Sequence, residues 1–158
     1  MPDGLYDRDI LIWSEQQADL LHRLAAGDDR VVGLIDWENV IHEIECVGRR
    51  ELNEFYSSLL TALVLILSGT RRMRSDWWDK VCAALCDAED RQSPSIRERT
   101  DLEDIYRGAR QVVAAGDPDY ARSLPEACPF TLDELLADPF DVLALVTKVD
   151  EAAAARNA

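Results

Sequence analysis

From Arg49 to Leu67 the apolar residues recur every three or four positions: Leu52, Phe55, Tyr56, Leu59, Leu60, Leu63, Val64 and Leu67. That spacing follows a 3.6-residue turn and lacks the strict alternation of a half-buried strand. The second half, "LLTALVLIL" (Leu59 to Leu67), is apolar nearly all round, which predicts a helix at the centre of a core. This is the longest apolar stretch, and a membrane span needs about 20 such residues. It is therefore read as a buried helix, and no membrane association is expected.

The rest of the chain carries the same period with helix punctuation. "SEQQADLLHRLAAG" opens on Ser14 with Gln17 at capping-box spacing, carries a stripe of Ala18, Leu21, Leu24 and Ala25, and stops at Gly27. "DWENVIHEIECVG" predicts a short helix with Asp36 as N-cap and Gly48 as its stop. Ser75 is the expected cap of a helix with a Trp78, Val81, Cys82, Leu85 stripe. The next helix runs from Pro94 to Gly116, with Leu102, Ile105, Tyr106, Ala109, Val112 and Val113 facing inward. "DPDYARSLPEACPF" reads as a loop, Thr131 and Glu134 form a capping box, and Asp138 is the expected cap of a last helix docked through Phe140, Leu143 and Val146. The fold class is all-α: an up-and-down bundle of about six helices, one domain over 1–158, centred on the helices near 49–67, 76–92 and 94–115. Its tail, 138–158, ends in a fraying alanine-rich turn.

Charge narrows the partners. The chain has 31 acidic and 17 basic residues, net −14. Such a charge repels phosphate backbones and anionic lipid, so nucleic-acid binding is disfavoured. Residues 1–48 carry 11 acids against 3 bases; residues 49–74 reverse the sign, with 2 against 5. The basic cluster "RRMR", with Arg71, Arg72 and Arg74, is the one feature a nucleic-acid-associated regulator could use, and four residues are few for a footprint. The N-terminus "MPDGLYDRD" is acidic and lacks an apolar run, so no secretory leader is expected. A cytoplasmic setting and four reduced cysteines follow as expectations.

Three stretches are distinctive: "YDRDILIWSEQQADLL", "DWENVIHEIECVGRRE" and "CPFTLDELL". Together they resemble the bacterial family called Domain of Unknown Function 29, over Leu5 to Ala137. Members of that family read W-x-E-Q-x-x-L-L, L-D-W-E-N-x-x-E-E-I-E-x-x-G and C-P-W-T-L-x-x-L-L in these places. His42, Cys46 and Phe130 depart from the usual pattern. The resemblance implies an all-helical, cytoplasmic, bacterial protein and no assigned activity.

The candidate face lies on the "DWENVIHEIECVG" helix. Trp37, Val40, Ile41 and Ile44 cluster on one side, with His42 and Cys46 roughly 160° away, four residues apart, flanked by Glu38 and Glu45. Trp37, Glu38, His42, Glu45 and Cys46 form either a solvated face or a contact surface, within the chain or for a second copy or another protein. With Cys82 and Cys86 the pair would also make a Cys3His zinc set. No catalytic residue, metal or cofactor is assigned. A di-iron centre needs two inward Glu-x-x-His pairs, and neither His22 nor His42 has glutamate three residues earlier. No phosphate loop or G-x-S-x-G motif is present. Cys128, before a helix N-terminus, is a reactive-thiol candidate or a small apolar plug beside Pro129 and Phe130. The leading expectation is a non-enzymatic interaction or regulatory module. The competing one is a metal-dependent protein or enzyme with a site between helices near Glu38, His42 and Cys46.

Overall fold

The structure, a computed structural model, describes residues 4–72 and 76–156, and of residues 70–72 and 156 the backbone alone. The protein is all-α, with no strand among the described residues. The helices are α1 (Leu5–Arg8), α2 (Ile10–Ala25), a 3-10 helix (Asp29–Leu34), α3 (Trp37–Arg72), α4 (Trp77–Arg91), α5 (Pro94–Arg99), α6 (Leu102–Gly116), α7 (Pro118–Ser123), α8 (Leu132–Leu135) and α9 (Val142–Arg156). The chain forms two compact units, Met1–Arg50 and Glu51–Ala158, and their boundary falls within α3.

In the first unit, α2 begins earlier than Ser14. Asp9 is the N-cap, its carboxylate accepting from Ile12 N at 3.1 Å, and Ser14 Oγ donates to Leu11 O from inside the helix. The extra turn puts Trp13, Gln17, Leu20, Leu21 and Leu24 on one face, while the expected Ala18 and Ala25 are exposed. Gly27 ends α2 as expected, with φ 93°. Gly27 N donates to Leu24 O at 2.9 Å and Asp28 N to Arg23 O at 3.0 Å, the paired bonds of a Schellman turn. The small core is Trp13, Ile35 and Val40, with Leu5, Tyr6 and the α2 leucines packed around it.

Gly48 does not stop its helix: α3 runs unbroken for 36 residues. A helical glycine costs about 1 kcal/mol relative to alanine. No proline or left-handed residue follows Gly48, so the hydrogen-bond ladder continues through it.

The second unit is built on the apolar half of α3, as its periodicity predicted. Phe55, Leu59, Leu63, Ile66 and Leu67 are fully buried, packed with Val81, Leu85 and Ala88 of α4, Tyr106 and Ala109 of α6, Leu135 of α8 and Val142 of α9. By length and hydropathy the segment Trp37–Gly69 could cross a bilayer. Its apolar second half is taken up by this core instead. On α4 the inward tryptophan is Trp77, not Trp78, which is 45% exposed. Ser75 lies outside the described residues.

Three further boundaries differ from expectation. The 94–116 helix is two. Ser93 caps α5, Thr100 Oγ1 folds back to Ile96 O, and Asp101 caps α6 by accepting from Asp104 N. Ile105, Tyr106, Ala109 and Val113 are buried as predicted, whereas Val112 is exposed. The expected loop after Gly116 contains α7, because Asp117 caps it and Pro118 sits at its first turn. Asp141, not Asp138, starts α9, accepting from Ala144 N at 2.9 Å. That start aligns Val142, Leu145, Val146 and Val149 inward and leaves Leu143 exposed. The Thr131/Glu134 capping box is present in full.

Candidate interaction face

The first unit contains the candidate face, and Asp36 organises it. Its backbone N donates to the buried Gln17 Oε1 at 2.8 Å. Its carboxylate accepts from Trp13 Nε1 at 3.2 Å and from Asn39 Nδ2 at 2.8 Å, and its carbonyl accepts from Val40 N to open α3. The predicted N-cap thus also ties the start of α3 to α2.

Of the five candidate residues, His42 and Cys46 come together as their four-residue spacing requires: Nε2 and Sγ are 3.5 Å apart. Arg49 Nη2 stands 3.3 Å from the same sulfur. Trp37 turns away from them, its Nε1 donating to Val32 O at 3.2 Å, and Glu38 and Glu45 are exposed. The pair offers two metal donors, and a guanidinium on the sulfur opposes a dication. Among the described residues no group of three or more His, Cys, Asp or Glu side chains could hold a metal ion. Cys82 packs against the core of the second unit, and burial followed by the acids Asp90, Glu89 and Asp87 pushes the Cys86 thiol up.

Sequence reasoning missed Tyr6 and Glu43. Tyr6 Oη donates to Glu43 Oε1 at 2.5 Å, and Arg50 Nη2 reaches Glu43 Oε2 at 3.3 Å. The Tyr6 hydroxyl holds the Glu43 carboxyl below the usual carboxylate range, and the same bond pushes the phenol up to about 12. Tyr6 also stands edge-on to Trp13, with ring centroids 4.9 Å apart. The aromatic-acidic stretch "LYDRD" was the available signal, but its partner lies 37 residues away.

The apolar side of the first half of α3 is largely open. Val40 is buried, yet Trp37, Ile41, Ile44 and Val47 are 42%, 53%, 68% and 57% exposed. The positions 37, 41 and 44 follow the four-and-three spacing of a coiled-coil seam. In the same unit α2 and the segment 33–36 line an open groove of about 860 Å3, in which Ile12, Leu20 and Leu34 lie among Glu15, Asp19 and Asp36.

Two other candidates fare differently. Burial pushes the Cys128 thiol up to about 11, which disfavours the thiolate that a nucleophile needs. The side chains of Arg71, Arg72 and Arg74 lie outside the described residues.

The family model described as "Domain of unknown function DUF29" matches residues 5–141, ending at the residue that caps α9. No curated protein and no solved structure matches the chain. With 137 of its 158 residues inside that match, this chain belongs to the DUF29 family.

Proposed function

We propose that this protein is a non-enzymatic interaction module, working in the bacterial cytoplasm, that docks a partner helix on the first half of α3. The observation carrying this reading is the row Trp37, Ile41, Ile44 and Val47, four large apolar side chains on one helix, each at least 42% exposed. Exposed apolar residues are ordinary singly; a contiguous set marks a contact surface. Charge favours a partner other than a second copy. Residues 1–48 are strongly acidic, and Glu38 and Glu45 stand beside the row. Two copies would bring like charges together, whereas a helix with basic flanks would complement them.

The test compares wild type with Ile41→Asp/Ile44→Asp, using light scattering after size exclusion and capture from the native host. Both residues are exposed, so the variant keeps its helical circular dichroism. The reading expects wild type to retain a specific partner that the variant loses; a wild-type dimer that the variant fails to form would assign the row to a second copy and overturn the reading. A wild-type protein that stays monomeric and retains nothing the variant does not would overturn it.

A further inference from the structure

The second unit contains an exception to the acidity of the chain. Arg107 and Arg110 of α6 and Arg122 of α7 line one open cavity of about 400 Å3, and no aspartate or glutamate among the described residues lines it. Helical spacing produces the cluster: Arg107, Arg110 and Ala114 follow one face of α6, and Pro118, Ala121 and Arg122 one face of α7. Ala114, Pro118 and Ala121 give the cavity an apolar side, and Gln111 adds a neutral amide.

The guanidinium groups are weakly committed. Arg107 pairs with Asp104 at 3.1 Å and Arg122 with Asp119, each three residues away on its own helix and each well exposed. Exposed pairs of this kind contribute little and exchange readily. Arg110 differs. Its Nη1 donates to Glu126 O at 3.3 Å, and its buried Nε finds no acceptor among the described residues. A buried N–H without an acceptor is costly, and a guanidinium presents a planar fork of donors that matches a carboxylate or a phosphate.

We propose that this cavity binds a small amphiphilic oxyanion: a carboxylate or phosphate monoester on an apolar body of a few carbons. The Arg110 guanidinium takes the oxyanion through its Nη atoms, its Nε being closed to solvent, with Arg107 and Arg122 supplying charge on either side. The apolar body packs on Ala114, Pro118 and Ala121. A volume of about 400 Å3 suits a ligand of this size. The site uses residues of the second unit alone, so it stands or falls independently of the α3 face.

The test is calorimetric titration of the full chain with hexanoate, phenyl phosphate, inorganic phosphate and hexylammonium. Hexanoate or phenyl phosphate is expected to saturate at one per chain, and the tighter of the two identifies the head group. Inorganic phosphate binds at least several-fold more weakly, and hexylammonium does not bind. Arg110→Met weakens binding about tenfold or more, and Arg107→Gln and Arg122→Gln weaken it several-fold each. Arg30→Gln, in the first unit, changes nothing. No saturable binding, equal binding of hexylammonium, or undiminished affinity in Arg110→Met overturns the site. Should Arg110→Met lose its helical signal, unchanged affinity in both Arg107→Gln and Arg122→Gln overturns it instead.

Discussion

Trp77 packs directly against Gly69. Its Nε1 donates to Leu65 O at 2.8 Å, one turn back on α3, and a Cβ added at Gly69 would overlap ring atoms Cζ2 and Cε2. The indole rests on bare backbone, and the helix is glycine there because no side chain fits.

Gly69→Ala and Gly48→Ala therefore have opposite signs. Both glycines lie within α3, where alanine is favoured by about 1 kcal/mol. At Gly48 nothing lies within 4 Å of the added Cβ, and stability rises by up to that amount. At Gly69 overpacking against a rigid ring costs about 1–3 kcal/mol and outweighs the propensity gain. Urea midpoints decide the matter; a midpoint raised by Gly69→Ala would show that the ring moves freely.

Tyr106→Phe should cost roughly 1–3 kcal/mol. The hydroxyl is fully buried and donates to Pro125 O at 2.8 Å, and the substitution leaves that carbonyl without its donor. Tyr56→Phe removes a similar bond, to Arg99 O, at a more exposed site and should cost less. Equal losses in a denaturant series would show that the buried carbonyl finds water.

The Tyr6–Glu43 bond couples the first unit to pH at both ends. The Glu43 carboxyl titrates lower when folded, so its contribution is in place above the unfolded value of about 4.3 and is lost as pH falls through the lowered one. Tyr6 is the mirror case. Its contribution is complete below about 10, the unfolded value, and is lost as pH rises through about 12. In Tyr6→Phe the carboxyl of Glu43 should titrate higher, read from its carbon chemical shift. A titration midpoint identical to wild type would show that Arg50, and not the hydroxyl, sets it.

Cys128 should resist alkylation in the native state. With its thiol at about 11, only about one molecule in a thousand is thiolate at pH 8. Both carboxylate oxygens of Glu103 bond the backbone N of this residue and add negative charge nearby. Mass spectrometry after iodoacetamide treatment should find Cys128 modified slowly in buffer and much faster in urea. Equal rates in the two would contradict the burial that defines the site.

Features written within a few residues of one another were legible. Gly27 as a left-handed stop, Pro94 in the first turn of a helix, the Thr131/Glu134 box and the approach of His42 to Cys46 all depend on one helical turn, and all are present. The buried run Phe55, Leu59, Leu63 and Leu67 was equally plain, because a stripe apolar on every side has no alternative to a core.

Choices between neighbouring candidates were not legible, because each depends on a surface that only packing supplies. Trp77 and Trp78 have the same intrinsic claim to the interior, and Gly69 admits one of them. Asp138 and Asp141 are equal caps in isolation, and the inward row from Val142 to Val149 selects the second. Ile41 and Ile44 share the apolar side by period, yet Tyr6 and Trp13 engage Glu43 of that helix and Asp36 just before it and leave the isoleucines exposed. Local periodicity and capping thus made the chain helical and set most helix starts. Contacts between residues far apart in sequence decided which faces were covered, and so where a partner or an anion can reach.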